Sequence, residues 1–207
     1  MSAFEEAEAS YSKVIAARPG AELEAQAKRN LASLYHAWAR SSPRDAKARL
    51  AAAIKLYEGL QPECALELAG AYAEAGEAGK AQAIYDKALG GGVTAEPKRL
   101  IAQTNYALMR RDAALAGAVC ACWATVAADT AELRGARLKA LSVHAYLLLV
   151  GEDGAAAQPA YAAAKRFAAE KGLALDAEAE HNAGVAAHLA AIKEAPVGPP
   201  PKGGDAV

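Results

Sequence analysis

Strand-forming residues are scarce in this chain of 207 residues: Val, Ile and Thr are sparse, and no stretch sustains an alternation of apolar and polar side chains. A sheet-based fold therefore has little support. Aromatics make up 6%, too few for a stacking track along single-stranded nucleic acid. Charge of one sign is lacking too. The 23 Lys and Arg against 24 Asp and Glu leave a formal net charge of −1, which excludes a bulk electrostatic grip on nucleic acid or anionic membrane. Cysteine appears three times, at Cys64, Cys120 and Cys122, an odd and small number that fits a reducing compartment rather than a disulfide framework. The opening residues, Ser2-Ala3-Phe4-Glu5-Glu6, carry neither a basic nor an apolar targeting region, so the expected location is cytoplasmic. The longest charge-free run, 113–128, falls short of the roughly 20 residues that span a bilayer. It predicts a buried central helix.

What the chain has in abundance is alanine, 59 residues of it, within a composition that is 54% apolar. Alanine is the best helix former, and Gly, Pro and Asp-rich breakers divide the sequence at short intervals. The expected architecture is all-α, with helices near 2–18, 22–40, 44–60, 63–75, 78–90, 96–110, 113–128, 131–150, 155–171 and 176–194. Short connections imply antiparallel neighbours. One helical domain, 1–194, is expected, followed by a Pro/Gly-rich disordered tail, 195–207. Pro159 sits where its helix should already be running, so this helix either starts near Gln158 or is kinked.

The helices share a grammar. Residues 65–88 read Ala65-x2-Leu68-Ala69-x2-Tyr72, then Gly76, then Ala81-x3-Tyr85-x2-Ala88. Small side chains let two helices approach while tyrosines fill the space beside the crossing. Ala7-x3-Tyr11-x2-Val14, Leu31-Ala32-x2-Tyr35, Ala53-x3-Tyr57, His144-Ala145-x2-Leu148, Ala157-x3-Tyr161-x2-Ala164 and Val185-Ala186-x2-Leu189 repeat parts of the same pattern. This pattern resembles the tetratricopeptide repeat, with equivalent positions roughly 37 to 41 residues apart instead of the usual 34. The resemblance implies a superhelical array of antiparallel helix pairs, an α-solenoid of about ten helices.

The resemblance also implies a function. In that family the first helix of each pair lines a concave groove that binds a segment of a partner protein. Carried onto this chain, the lining is Arg29, Asn30, Ser33 and His36, then Glu63 and Glu67, then Thr104, Asn105 and Arg111, then Lys139 and Tyr146. Asparagines there suit a peptide backbone, and Arg or Lys a carboxylate. The expected role is an adaptor or scaffold subunit, with two alternatives. One is a sensor that takes a peptide or small ligand in the same groove. The other is a cochaperone with a partial carboxylate clamp, to which Asn105 and Lys139 would belong, although Arg29 and Ser33 stand where the clamp's opening Lys and Asn belong.

Chemistry-bearing motifs are not evident. His181 and His188 share a helical face, but no third ligand joins both at helical spacing. Cys120 and Cys122 are not a CxxC pair and point in different directions. Phosphate-loop, dinucleotide, nucleophile-elbow and HExxH patterns are missing. The sequence therefore predicts no catalytic residue, no metal and no cofactor. Lys98-Arg99, Arg110-Arg111 and Arg134/Arg137/Lys139 form a mild basic cluster, expected to face water or an acidic partner segment. Gly90-Gly91-Gly92 reads as a loose turn.

Overall fold

Each segment begins and ends where its own side chains stop competing with the helix. Ser2 and Glu5 open α1 (Ala3–Ala16) with a reciprocal capping box, the Ser2 Oγ accepting from the Glu5 amide at 3.3 Å and Glu5 accepting from the Ser2 amide at 2.7 Å. Pro97 occupies the first turn of α6 (Pro97–Arg110), where its missing N–H has no helical partner to lose. Asp153 opens α9 (Gly154–Lys171) by accepting from the Ala156 amide. The computed structural model describes residues 2–151 and 153–194. The remaining helices are α2 (Ala21–Ser41), α3 (Ala46–Glu58), α4 (Ala65–Glu74), α5 (Ala78–Leu89), α7 (Ala113–Trp123), α8 (Ala131–Val150) and α10 (Ala177–Glu194). The described residues form ten α-helices and one 3-10 turn at Pro43–Asp45, with no strand. The fold is all-helical, as the composition predicts. The expected tail, 195–207, lies outside the described residues.

Two expectations are corrected. The helix predicted over 113–128 stops at Trp123. The Thr125 hydroxyl takes the Cys122 carbonyl at 2.8 Å, and tight bonds from Ala124, Thr125 and Val126 back to Ala121, Cys122 and Trp123 close the last turn. Nor is this helix buried all round: Ala116, Val119 and Trp123 are buried, whereas Ala114, Ala118 and Ala121 are exposed. Near Pro159 the late start is not found, because α9 begins at Gly154 and runs through the proline. Pro159 and Ala155, whose carbonyl would have accepted the missing bond, are both exposed, so water can serve that carbonyl.

The chain divides into two compact units. The first holds the described residues through Arg111 together with Ala121–Val126, and the second holds Asp112–Cys120 together with those from Ala127 onward. In the first unit α2 packs on α1 and α3, α3 on α4, and α4 on both α5 and α6, with α5 also on α6. Its core is Ala32, Ala53, Ala69, Ala71, Ala81 and Ala107 set beside Tyr57, Tyr85 and Leu100. Small residues bring the backbones close, and each buried large side chain contributes about 1.5–3 kcal/mol. In the second unit α8 packs on α9 and α10, and α9 on α10. One cluster joins Ala145, Ala157, Tyr161, Ala183 and Ala186, and another joins Leu138, Ala164, Phe167 and Ala168. At Gly117 of α7 a Cβ would lie 3.1 Å from the His144 Nε2 of α8. Only a hydrogen fits there without displacing the imidazole.

The glycine turn between α5 and α6 is held rather than loose. Gln103, 2% exposed, donates to the Gly92 carbonyl at 2.8 Å, and Arg99 donates to the Ala88 carbonyl at 3.1 Å. Both come from α6 one turn apart, so its buried face ties down the end of the preceding helix. No helix among the described residues is long and apolar enough to cross a membrane.

Candidate functional site

Helical periodicity builds the site from three helices of the first unit. On α2, Arg29, Ser33, His36 and Arg40 follow one another at three- and four-residue steps and share a face. On α4 the corresponding line is Glu67, Gly70 and Glu74, and on α6 it runs from Lys98 to Asn105. Gly70 lies against the α2 line at His36 and against Tyr85 of α5. A Cβ built on it would be 3.7 Å from the Tyr85 hydroxyl and 4.0 Å from the His36 ring, so the glycine leaves a notch walled by α2 on one side and α5 on the other.

Charged groups flank the notch. Glu74 accepts from His36 Nε2 at 3.0 Å and from Arg40 Nε at 3.0 and 3.1 Å, with a further bond from Arg40 Nη2. Burial pushes the Glu74 carboxyl upward, but the hydrogen bonds from His36 and Arg40 outweigh it and hold the group at about 2. Glu67 accepts from Lys98 Nζ at 2.8 Å through Oε1, while its Oε2 is buried with no hydrogen-bond partner among the described residues. Arg29 Nε is buried and unpartnered as well, and the guanidinium pairs with no carboxylate among the described residues. It acts on the buried Cys64 thiol, which burial pushes up and Arg29 draws down.

Two tyrosines reach this face from behind. Tyr57 of α3 lies with its hydroxyl 3.2 Å from that of Ser33 and its ring edge-on to His36. Tyr85 of α5 is fully buried. Burial pushes that phenol up to about 12 against the opposing pull of the Asn105 side chain. Along one face, therefore, Arg29 Nε and Glu67 Oε2 are two buried polar atoms with unused bonding capacity. An unsatisfied buried polar atom costs about 1–3 kcal/mol.

The residues expected from sequence fare unevenly. Arg29, Ser33, His36, Glu67 and Asn105 are brought together. Asn30 accepts from Gln26 on its own helix at 3.1 Å. Glu63 is exposed in the turn before α4. Thr104 is 3% exposed and donates to the Leu100 carbonyl, so it serves the inside of α6. Arg111 is the exposed, left-handed cap of α6 with φ 54°. Lys139 and Tyr146 lie in α8 of the other unit, Lys139 exposed and Tyr146 half-buried near Tyr161. The sequence reading missed Arg40, Glu74, Gly70 and the two tyrosine hydroxyls. Continuing the same stripe another turn, from His36 to Arg40 and from Glu67 to Glu74, would have found the first two.

The basic cluster is largely engaged within the molecule. Lys98 pairs with Glu67, Arg99 with a helix end, and Arg110 with the Tyr106 hydroxyl at 3.0 Å. Arg134 pairs with Asp129 at 2.9 Å, and Arg137 lies over the Phe167 ring at 4.7 Å. No group of three His, Cys, Asp or Glu side chains placed to hold a metal ion is found among the described residues. Comparison with protein-family models, with curated proteins and with solved structures gives no match for this chain.

Proposed function

We propose that this chain is a cytoplasmic adaptor without catalytic activity, built from tetratricopeptide-like helix pairs, in which α2, α4 and α6 hold a segment of a partner protein across the Gly70 notch. The observation that carries this reading is the clustering of Arg29, Ser33, His36 and Arg40 of α2 with Glu67 and Glu74 of α4, all exposed or half-buried and joined across the two helices through Glu74. Main-chain groups of a bound segment would bond the exposed Ser33 hydroxyl and the accessible part of the Glu67 carboxylate, and an acidic side chain would complement Arg29. The packing order supports a repeat: α4 contacts the next helix and the next but one, and so does α8. So does a recurring pair, since Tyr85 stands against Asn105 in the first unit and Tyr161 against Asn182 in the second.

Gly70→Met provides the test. The new Cβ meets ordinary van der Waals contacts at 3.7 and 4.0 Å, so the helix tolerates it while the longer side chain fills the notch. Affinity capture with the full chain, followed by mass spectrometry, should recover a stoichiometric protein with the wild type. Gly70→Met and Arg29→Ala should each lose it with an unchanged melting temperature. Undiminished capture by both variants removes the groove from the account.

A further inference from the structure

Helix α1 is attached to the first unit in a way no other helix there is. None of its residues is buried, and it packs on α2 alone, touching α3 only through Arg49. Phe4, Ala7, Glu8, Tyr11 and Ile15 are half-buried, a single stripe at helical spacing laid on one neighbour. The attachment is a clasp of discrete contacts. The Phe4 ring stacks on Trp38 with centroids 5.3 Å apart. Glu8 accepts from the Tyr35 hydroxyl at 2.6 Å and lies 3.6 Å from Arg49, whose guanidinium covers the Trp38 ring at 3.6 Å. The capping box at Ser2 and Glu5 makes α1 complete in itself.

The connection to α2 is four residues, 17–20, and it is under strain. Arg18 holds φ 47°, a left-handed conformation that its Cβ disfavours, and Gly20 holds φ 109°. A Cβ on Gly20 would meet nothing within 4 Å, so no packing fixes the bend. Extending this hinge releases Arg18 and lifts α1 away as a rigid piece, leaving Trp38, Tyr35 and Arg49 as a seat shaped and charged for a helix carrying Phe and Glu four residues apart. A second copy of the chain carries that helix. We propose that two copies exchange α1, each seating Phe4 and Glu8 on the Trp38, Tyr35 and Arg49 of the other. Every clasp contact is kept in the exchanged dimer while the bent hinge is opened, the circumstance in which swapping is least costly.

Complementary charge reversal isolates this arrangement. In Glu8→Arg alone, two guanidiniums face each other at the seat whether or not α1 is exchanged, and in Arg49→Glu alone two acids do. Only in a mixed exchanged dimer are both seats free of like-charge pairs. Sedimentation of the full-length wild type should show a reversible, concentration-dependent dimer. Each variant alone should retain its helicity and self-associate no more tightly than the wild type, and an equimolar mixture should form a heterodimer at least about tenfold tighter than either variant's self-association. Arg18→Gly, which relaxes the bent hinge, should weaken wild-type dimerisation by at least about fivefold. A wild type that stays monomeric, a mixture that stays monomeric, or variants that dimerise as tightly alone as together would overturn the exchange.

Discussion

In the second unit every helix opens on a side chain that closes one of its own free amides. Asp112 accepts from Leu115, Thr130 from Leu133, Asp153 from Ala156 and Asp176 from Ala179. Helices α2 to α6 of the first unit start at Gly20, Asp45, Cys64, Glu77 and Glu96 with no such bond. There the polar contacts run between helices instead: Ser33 to Tyr57, Tyr72 to Glu58, Tyr106 to Asp86, His36 and Arg40 to Glu74, and Lys98 to Glu67. The ion pairs of the second unit that reach across from one element to another, Lys171 with Asp129 of the loop before α8 and Lys165 with Glu180 of α10, are at exposed edges. Local caps fix where a helix begins, and cross-helix pairs fix how it sits against its neighbours. A unit that relies on the second device keeps polar groups half-buried between helices, which is the material a recognition face is made of. A unit that relies on the first can fill its interior with alanine, leucine and phenylalanine.

The largest way to break this comparison is to remove an anchor from the alanine-packed core. Tyr161→Ala takes a ring that is 2% exposed out of a cluster of Ala145, Ala157, Ala183 and Ala186, none of which can reach into the gap. The expected cost is about 3–5 kcal/mol, read by denaturant unfolding with hydrogen exchange resolved to residues 131–194. Tyr161→Phe should cost only about 0.5 kcal/mol, because the hydroxyl meets the neutral Asn182 side chain and no charged group. Tyr106→Phe in the first unit should cost about 1.5 kcal/mol, since its hydroxyl bonds both the Asp86 carboxylate and Arg110. Equal effects of the two phenylalanine substitutions would erase the distinction between the units.

The same contrast explains what the sequence made legible. Helix boundaries were readable to within a few residues because breakers and caps are local: Asp129-Thr130 and Lys171-Gly172 mark ends by their own chemistry. The end of α7 was missed because Thr125 competes for a carbonyl three residues back, an effect hydropathy does not see. The resemblance to a repeat family named Arg29, Ser33, His36, Glu67 and Asn105, and their closeness in space follows from sharing faces of helices that pack together. Glu74 and Arg40 were missed because their pairing joins residues 34 apart, and Thr104 was misplaced because one step around the helix separates the outer face from the core. Division into two units has no local signal, since it depends on which helices pack together.

Caps offer a smaller, cleaner cut. Asp176→Ala should cost about 1 kcal/mol, lowering protection chiefly at the start of α10, where the Ala179 amide loses its 2.7 Å acceptor. At the matching place in the first unit, Glu77→Ala removes only an exposed pair with Lys80 and should change stability by less than about 0.5 kcal/mol. A cost at Glu77 as large as that at Asp176 would mean that α5 is capped in solution as well.

The mildest test is acid. His144 is half-buried, and desolvation lowers its pKa below the ordinary 6.5, so the unfolded chain takes up this proton more readily than the folded one. The stability it contributes is complete above pH 6.5 and is withdrawn as pH falls from there toward the depressed folded value. Glu74 in the first unit is also lowered, from 4.5 to about 2, but for a carboxylate the window lies elsewhere: its contribution persists above 4.5 and drains away only as pH falls toward 2. Hydrogen exchange corrected for intrinsic rates should therefore show α8 around His144 and its contact at Gly117 loosening once the pH falls below the ordinary 6.5, while α2 and α4 around Glu74 hold until the pH is below the ordinary carboxylate value. His144→Gln, neutral at every pH, should abolish the early loosening and leave the late one. Early loosening that survives His144→Gln would remove the imidazole beneath Gly117 as its cause and with it the claim that the alanine-packed unit is the acid-sensitive one.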